Sequence, residues 1–181
     1  MSVFTNPAGG ALEHAQAYVS AILELLGDRD PVEVLRSTPD ALDRFVASTP
    51  DDMLRRPEMP GKWSMQQVLA HLADSDLVWA WRLRLIVAQD RPPLTGYDQD
   101  AWADRLGYAV ADPRKSVARF RVLREDNLWI IDRCSAQDLE RVGVHVERGD
   151  ESLAHHLRLY AGHDLLHIRQ LERIKQAGGS G

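Results

Sequence analysis

Apolar residues recur every three to four positions along most of this chain, and glycine and proline divide the pattern into segments. Over residues 11–26, Leu12, Ala15, Val19, Ile22 and Leu26 fall at helical spacing, and Gly27 then stops the run. Asp30-Pro31 restarts it, and Thr38-Pro39 reads as a further cap and first helical residue. The apolar side of this stretch is Val32, Leu35, Leu42, Phe45 and Val46. Pro50, Pro57 and Pro60-Gly61 then mark a loop. Ser64 followed by Gln67 is a capping-box pattern, so a helix is expected from there to about Gln89, closed by Pro92-Pro93. Residues 91–111 hold no long periodic run, and a connection of that length either crosses a bundle or covers a site. Asp112-Pro113 opens another long helix to about Arg133, and Gly149 and Ser152 lead into a last one to about Gln176. Between them residues 142–148 alternate, with Val142, Val144 and Val146 on one side, too briefly to anchor a sheet alone.

Three or four long amphipathic helices with long middle connections predict an all-α helical bundle. One domain is expected over residues 1–181, its core about 31–176, with an extra N-terminal helix at about 11–26. Composition fits a globular chain: 44% of residues are hydrophobic and 27% charged. The formal charge of −5, without any basic block, speaks against nucleic acid and anionic membranes as partners. No apolar run approaches the roughly 18 residues of a membrane span, and no secretion signal is read at the start, so the cytoplasm is the expected address. A single cysteine, Cys134, excludes an internal disulfide and is read as packing at a helix end.

Chemistry-bearing residues interrupt the apolar stripes. On the last helix Leu153, Leu157, Leu171 and Ile174 define the inward arc, and His156, Tyr160, His163 and His167 lie inside it. His163 and His167 are four apart, which puts their Cβ atoms about 5–6 Å apart on one face. Two neutral imidazoles so placed can share a metal ion. The segment His163-Asp164-Leu165-Leu166-His167 is one carbon short of the zinc-protease motif, with Asp164 where that motif has glutamate. The protease reading fails on its third ligand, because the position six residues on is Arg173 and only 14 residues follow His167. A third ligand must come from upstream, and His71 supplies it, within the arc of the helix marked by Val68, Leu72, Trp79, Leu83 and Ile86. At ~1.5 Å rise per residue, His71 lies about 10 Å from its helix start and His167 about 14 Å from its helix end. Those levels match if the two helices run antiparallel. Three histidines with an open position is the ligand count of a catalytic metal site. Imidazole suits zinc, nickel, iron or copper, zinc and nickel first, and affinity should fall below about pH 6.5 as the rings protonate.

Asp164, Tyr160 and His145 are the candidate catalytic residues. Asp164 sits at the edge of the inward arc, as acid/base or as a group orienting a ligand, Tyr160 one turn before His163, and His145 opposite the valines of 142–148. Asp74, three residues after His71, is a candidate to orient its ring, and His156 a weaker fourth ligand. His14 and His155 read as surface residues. Arg114, Arg119, Arg121 and Arg124 read as a solvated face paired with acidic neighbours. Trp81, on a different side of its helix from Trp79, marks a second apolar face. Packing within the chain is the plain reading of it, and a second subunit the alternative.

These stretches resemble the DinB/YfiT-like superfamily of metalloenzymes from about Pro39 to Ile174. GKWSMQQVLAHLADSD looks like its helix signature with the metal histidine, here His71. RVGVHVERGDES looks like the connection before its last helix, and AGHDLLHIRQLERI like its final histidine pair, here His163 and His167, with Gln170 following. One departure is that this pair often continues His-Arg-Gly-Gln, where this chain has His-Ile-Arg-Gln. The resemblance implies a four-helix bundle with a crossover connection, a three-histidine divalent metal site, and often a homodimer. It also implies a small-molecule substrate and, in some relatives, S-transfer by a low-molecular-weight thiol. Three functions are therefore expected as alternatives. The first is a metal-dependent transferase activating a small thiol. The second is a hydrolase activating water, and the third a non-catalytic metal-binding dimer.

Overall fold

The computed structural model describes residues 12–178, with side chains from residue 16 onward; the side chain of His14 and both chain ends lie outside the described residues. The helices start where the caps predict. Asp30 accepts from the Val32 N–H at 2.7 Å and Asp112 from the Arg114 N–H at 2.9 Å, each ahead of a proline in the first turn. Gln67 Oε1 accepts from the Ser64 N–H at 2.9 Å, closing the predicted box. The elements are α1 (Leu12–Leu26), α2 (Pro31–Ala47), α3 (Asp51–Arg55), α4 (Met65–Ala88), β1 (Pro93–Leu94), α5 (Gln99–Arg105), α6 (Pro113–Ile131), α7 (Ala136–Leu139), β2 (Val142–His145), β3 (Gly149–Ser152) and α8 (Leu153–Gly178).

The bundle consists of α2, α4, α6 and α8, with α1 laid against α8. Side-chain pairs fix the directions. Asp74 meets Arg119 and Arg84 meets Asp126, so α4 and α6 run parallel. His71 meets His163 and Arg82 meets Tyr160, so α4 and α8 run antiparallel, as the histidine levels require. Parallel neighbours demand a crossing connection, and residues 89–112 provide it through β1, α5 and a 3₁₀ turn at Tyr108–Val110. β1 pairs with β2 in parallel and β2 with β3 antiparallel, making a small three-stranded sheet. Gly149 turns the β2–β3 hairpin at φ +80°. Among the described residues no helix is long and apolar enough to cross a membrane.

Three local expectations are corrected. Thr38-Pro39 does not begin a new helix: α2 runs through Pro39. The Thr38 hydroxyl donates to Val34 O at 2.9 Å, and the carbonyl that Pro39 cannot serve, Leu35 O, accepts from Arg124 Nη1 at 3.0 Å. Arg124 in turn is not on a solvated face but is 1% exposed. Residues 142–148 do alternate as expected, with Gly143 and His145 buried and the valines on the outer side. Trp81 is 62% exposed and Leu77 half-exposed, so that face of α4 is not covered within the described chain, and α1 packs elsewhere.

The buried Arg124 joins three helices. Its Nε and Nη2 donate to Asp76 Oδ1 at 3.0 and 2.7 Å, and its Nη1 and Nη2 to Asp164 at 2.6 and 3.2 Å. With Leu35 O, all five N–H groups are used. Asn127 Nδ2 donates to the other oxygen of Asp76 at 3.3 Å. The guanidinium also lies over the Phe120 and Trp79 rings, at 4.5 and 5.1 Å.

Helix α1 seats on α8 at a glycine. A Cβ at Gly162 would lie 2.3 Å from Ile22 O, a backbone atom that cannot swing aside. Gly162→Ala is therefore expected to cost about 1–3 kcal/mol by overpacking, read as a lower denaturation midpoint in urea. An unchanged midpoint would mean that α1 is not held at this contact.

Candidate metal centre

His163 and His167 project from adjacent turns of α8, their ring centroids 4.4 Å apart. The antiparallel α4 brings in His71, whose ring centroid is 5.4 Å from that of His163 and 4.8 Å from that of His167. The three sequence-predicted ligands are thus brought together, one donor atom from each lying within 4.8 Å of the others. His71 Nε2 and His163 Nε2 are 3.3 Å apart. Two nitrogens at 2.0–2.1 Å from a tetrahedral ion would be separated by about 3.3–3.4 Å, so this pair fits a shared ion.

Burial sets the protonation state. It pushes the His71 and His163 rings well below the ordinary imidazole value. His167 adds to the effect on His71, and His167, His71 and Arg124 add to that on His163. Burial also lowers His167, to about 4, against the opposing pull of Gln170 and Asp164. All three rings are neutral at pH 7, the form that ligates metal. The acid limit expected from a free imidazole therefore moves down in the fold.

Gln170 fixes one tautomer. Its Oε1 lies 2.8 Å from His167 Nδ1 and can only accept, so Nδ1 carries the proton and Nε2 keeps its lone pair. Gln170→Leu is expected to weaken divalent-metal affinity by about 10–100-fold, read by competition with a chromogenic chelator. Unchanged affinity would show that the ring needs no such support.

The cluster opens into a cavity of about 110 Å³, room for several waters or a small organic group. The crossing connection supplies part of its wall, including Tyr97, whose hydroxyl lies 2.8 Å from Ser75 Oγ. Ser75 Oγ is itself 3.3 Å from His71 Nε2. Tyr160 lines the cavity, stacked on Trp79 at 4.7 Å between centroids. His145 lines it too and is 2% exposed, with burial and then Arg148 and Arg82 lowering its pKa to about 3.

The other candidates lie elsewhere. Asp164 does not line the cavity: both carboxylate oxygens are held by Arg124, and it acts on His167 only at a distance. Asp74 does not orient His71. It sits about 60° round the helix from it and accepts from the Tyr108 hydroxyl at 2.6 Å, pairing also with Arg119 at 2.8 Å. His71 Nδ1 has no partner among the described residues. His156 is not near the cluster's donors but faces Glu151, with Nε2 to Oε2 at 2.9 Å. His155 is half-buried rather than a surface residue. Cys134 packs at the end of α6, its thiol pushed up by burial and then by Asp138.

Sequence reasoning missed Ser75 and Arg82. They follow His71 by four and eleven residues, which at 100° per residue puts all three on one stripe of α4. That spacing was the available signal.

Known proteins share this fold and much of this sequence. The sequence pattern of the DinB superfamily matches residues 35–171. YfiT of Bacillus subtilis is 28% identical over 149 residues, 82% of this chain and 84% of its own. OB0782 of Oceanobacillus iheyensis is 26% identical over 79% of this chain and 83% of its own; both carry provisional names as metal-dependent hydrolases. The solved structure of YfiT superposes with a TM-score of 0.76 at 23% identity, over 98% of this chain and 95% of that one. It is described as a probable metal-dependent hydrolase with an unusual four-helix bundle topology. With that match running from α2 into α8, across all four bundle helices and all three clustered histidines, the chain belongs to the DinB superfamily.

Proposed function

We propose that this chain is a metal-dependent hydrolase of a small molecule, with His71, His163 and His167 as the ligands of one divalent transition ion. The observation that carries this reading is the convergence of three neutral imidazoles, two of them 3.3 Å apart at Nε2, at the wall of a cavity. Three protein ligands leave coordination positions for water and substrate. When bound, such an ion supplies Lewis acidity and activates water for attack at neutral pH.

The chain's own residues contribute positioning and hydrogen bonds. Burial keeps the Tyr160 hydroxyl protonated, and it accepts from Arg82 at 3.3 Å, leaving its own proton to donate toward a substrate oxygen. Ser75 holds the Tyr97 hydroxyl in the cavity lining. His145 stays neutral at pH 7 and serves as a hydrogen-bonding group rather than as the base.

The relatives' names favour hydrolysis, and nothing in them supports the thiol-transfer reading. The test is turnover of an ester, amide and lactone panel by zinc- or nickel-loaded protein, with and without low-molecular-weight thiols. Metal-dependent, thiol-independent hydrolysis is expected. Turnover that requires the thiol would replace hydrolysis by S-transfer, and metal binding without any turnover would favour a non-catalytic module.

A further inference from the structure

Among the described residues Arg82 and Arg124 are buried and Arg148 is partly covered, and these three guanidiniums are not treated alike. Arg124 is surrounded by two carboxylates and has every N–H engaged. Arg148 pairs with Glu151 through two contacts, 2.5 and 3.0 Å. Arg82 is 6% exposed, lines the cavity beside the histidine cluster, and has no ion pair among the described residues. Its partners are neutral: the Tyr160 hydroxyl at 3.3 Å, the Thr95 carbonyl, and His145 Nε2 at 3.4 Å. Its Nε is buried without a partner among the described residues.

The His145 contact makes the shortage of acceptors worse. The Glu147 N–H donates to His145 Nδ1 at 3.2 Å. A neutral imidazole has one N–H, so the proton is on Nε2, which then faces Arg82 as a second donor. Arg82 Nη2–H and His145 Nε2–H thus meet as two donors in the cavity lining, and the buried Arg82 Nε–H has no acceptor among the described residues. The carboxylate at that cavity, Glu147, rests against Gly96 and makes no ion pair with Arg82. A buried cation left without an anion is costly, whereas a guanidinium binds a planar carboxylate through two parallel hydrogen bonds.

We propose that Arg82, with His145 beside it, binds a carboxylate group of the substrate, so that the molecule acted on is a small organic anion. The Tyr160 ring lies between the two ends of this site, with its hydroxyl on Arg82 and its centroid 6.3 Å from that of His163. The substrate carries its reacting bond toward the histidines and its carboxylate toward Arg82. This assignment rests on the hydrolase reading for the reaction, but the anion site is defined by Arg82 alone.

The test uses the full chain and three probes: propionate, its neutral analogue propionamide, and inorganic phosphate. Binding is read by thermal shift and calorimetry at constant ionic strength, with and without zinc. Wild type is expected to bind propionate and not propionamide. Arg82→Met should weaken propionate at least ten-fold, and Arg82→Lys, which keeps the charge but loses the fork, should fall between; it also serves if the methionine variant does not fold. His71→Ala should retain propionate binding. Undiminished binding in both Arg82 variants, or loss in His71→Ala alone, would place the anion on the metal or elsewhere and overturn the proposal while leaving the metal reading intact. Tighter Arg82-dependent binding of phosphate than of propionate would overturn the carboxylate assignment. Arg82-dependent propionate binding in a protein that takes up no metal would uphold this site and remove the hydrolase reading.

Discussion

Replacing Arg124 with methionine is expected to lower the stability of this protein by about 3–5 kcal/mol, the cost of breaking a buried ion pair by removing one partner. For a chain of this size that is roughly 6–20 °C in Tm. Three things are lost together. Asp76 and Asp164 are left as like charges in a dry site, with no cation between them. Leu35 O loses the donor that stands in for the N–H absent at Pro39. The contacts of the guanidinium with Phe120 and Trp79 go as well. The pH dependence has a definite sign. In the wild type burial already raises the Asp76 carboxyl to about 6, against the pull of Arg124. Without the cation the Asp76 carboxyl moves further up in the folded state, which then binds more protons than the unfolded chain. The variant's deficit should therefore narrow as pH falls toward about 4. Chemical denaturation at pH 7.5 and pH 5 checks both statements. A loss under 1 kcal/mol, or a deficit that widens in acid, would mean that Arg124 is not what compensates these carboxylates.

The second large effect is on metal content. Purified wild-type protein loaded with zinc or nickel and desalted is expected to retain about one ion per chain, and His71→Ala to retain none. His71 is the only one of the three ligands on α4, so its removal leaves two histidines of one helix and no donor from the facing side. Zinc at about 100 times its Kd should stabilise the wild type by about 2.7 kcal/mol and leave the variant unmoved. Because His71 is buried, alanine there opens a cavity with its own cost, and His163→Ala, at a half-buried position, is the companion variant. Equal metal in wild type and both variants would take these residues out of the site.

Much of the fold was written in local signals. Asp30, Ser64 and Asp112 start their helices by accepting from backbone N–H groups a few residues on, an interaction set by the chain's own neighbours. The histidine pair on α8 was equally legible, because a helix fixes which residues share a face. The meeting of His71 with that pair followed from matching levels on two antiparallel helices, but the partners of the charged residues did not follow from the sequence. Arg124 carries a charge and was assigned to solvent, although it stands at the i+4 position from Phe120 and the i−4 position from Leu128, within the apolar arc of α6. Its burial is possible only because Asp76 and Asp164, remote in sequence, arrive from α4 and α8. Asp74 was offered as a support for His71 and instead found Tyr108 and Arg119, partners delivered by the crossing connection and by α6.

The helices, their caps and the inward turn of His71, His163 and His167 were legible locally, since they follow from backbone hydrogen bonding and a 3.6-residue period. That His71 does meet His163 across an antiparallel pair, that Asp164 is tied up by Arg124, and that Arg82 is buried beside the cluster with no counter-ion among the described residues came from packing. Those outcomes depend on the level and direction at which helices pack and on charges desolvated by partners far away in the chain, neither of which is encoded in any local stretch of residues.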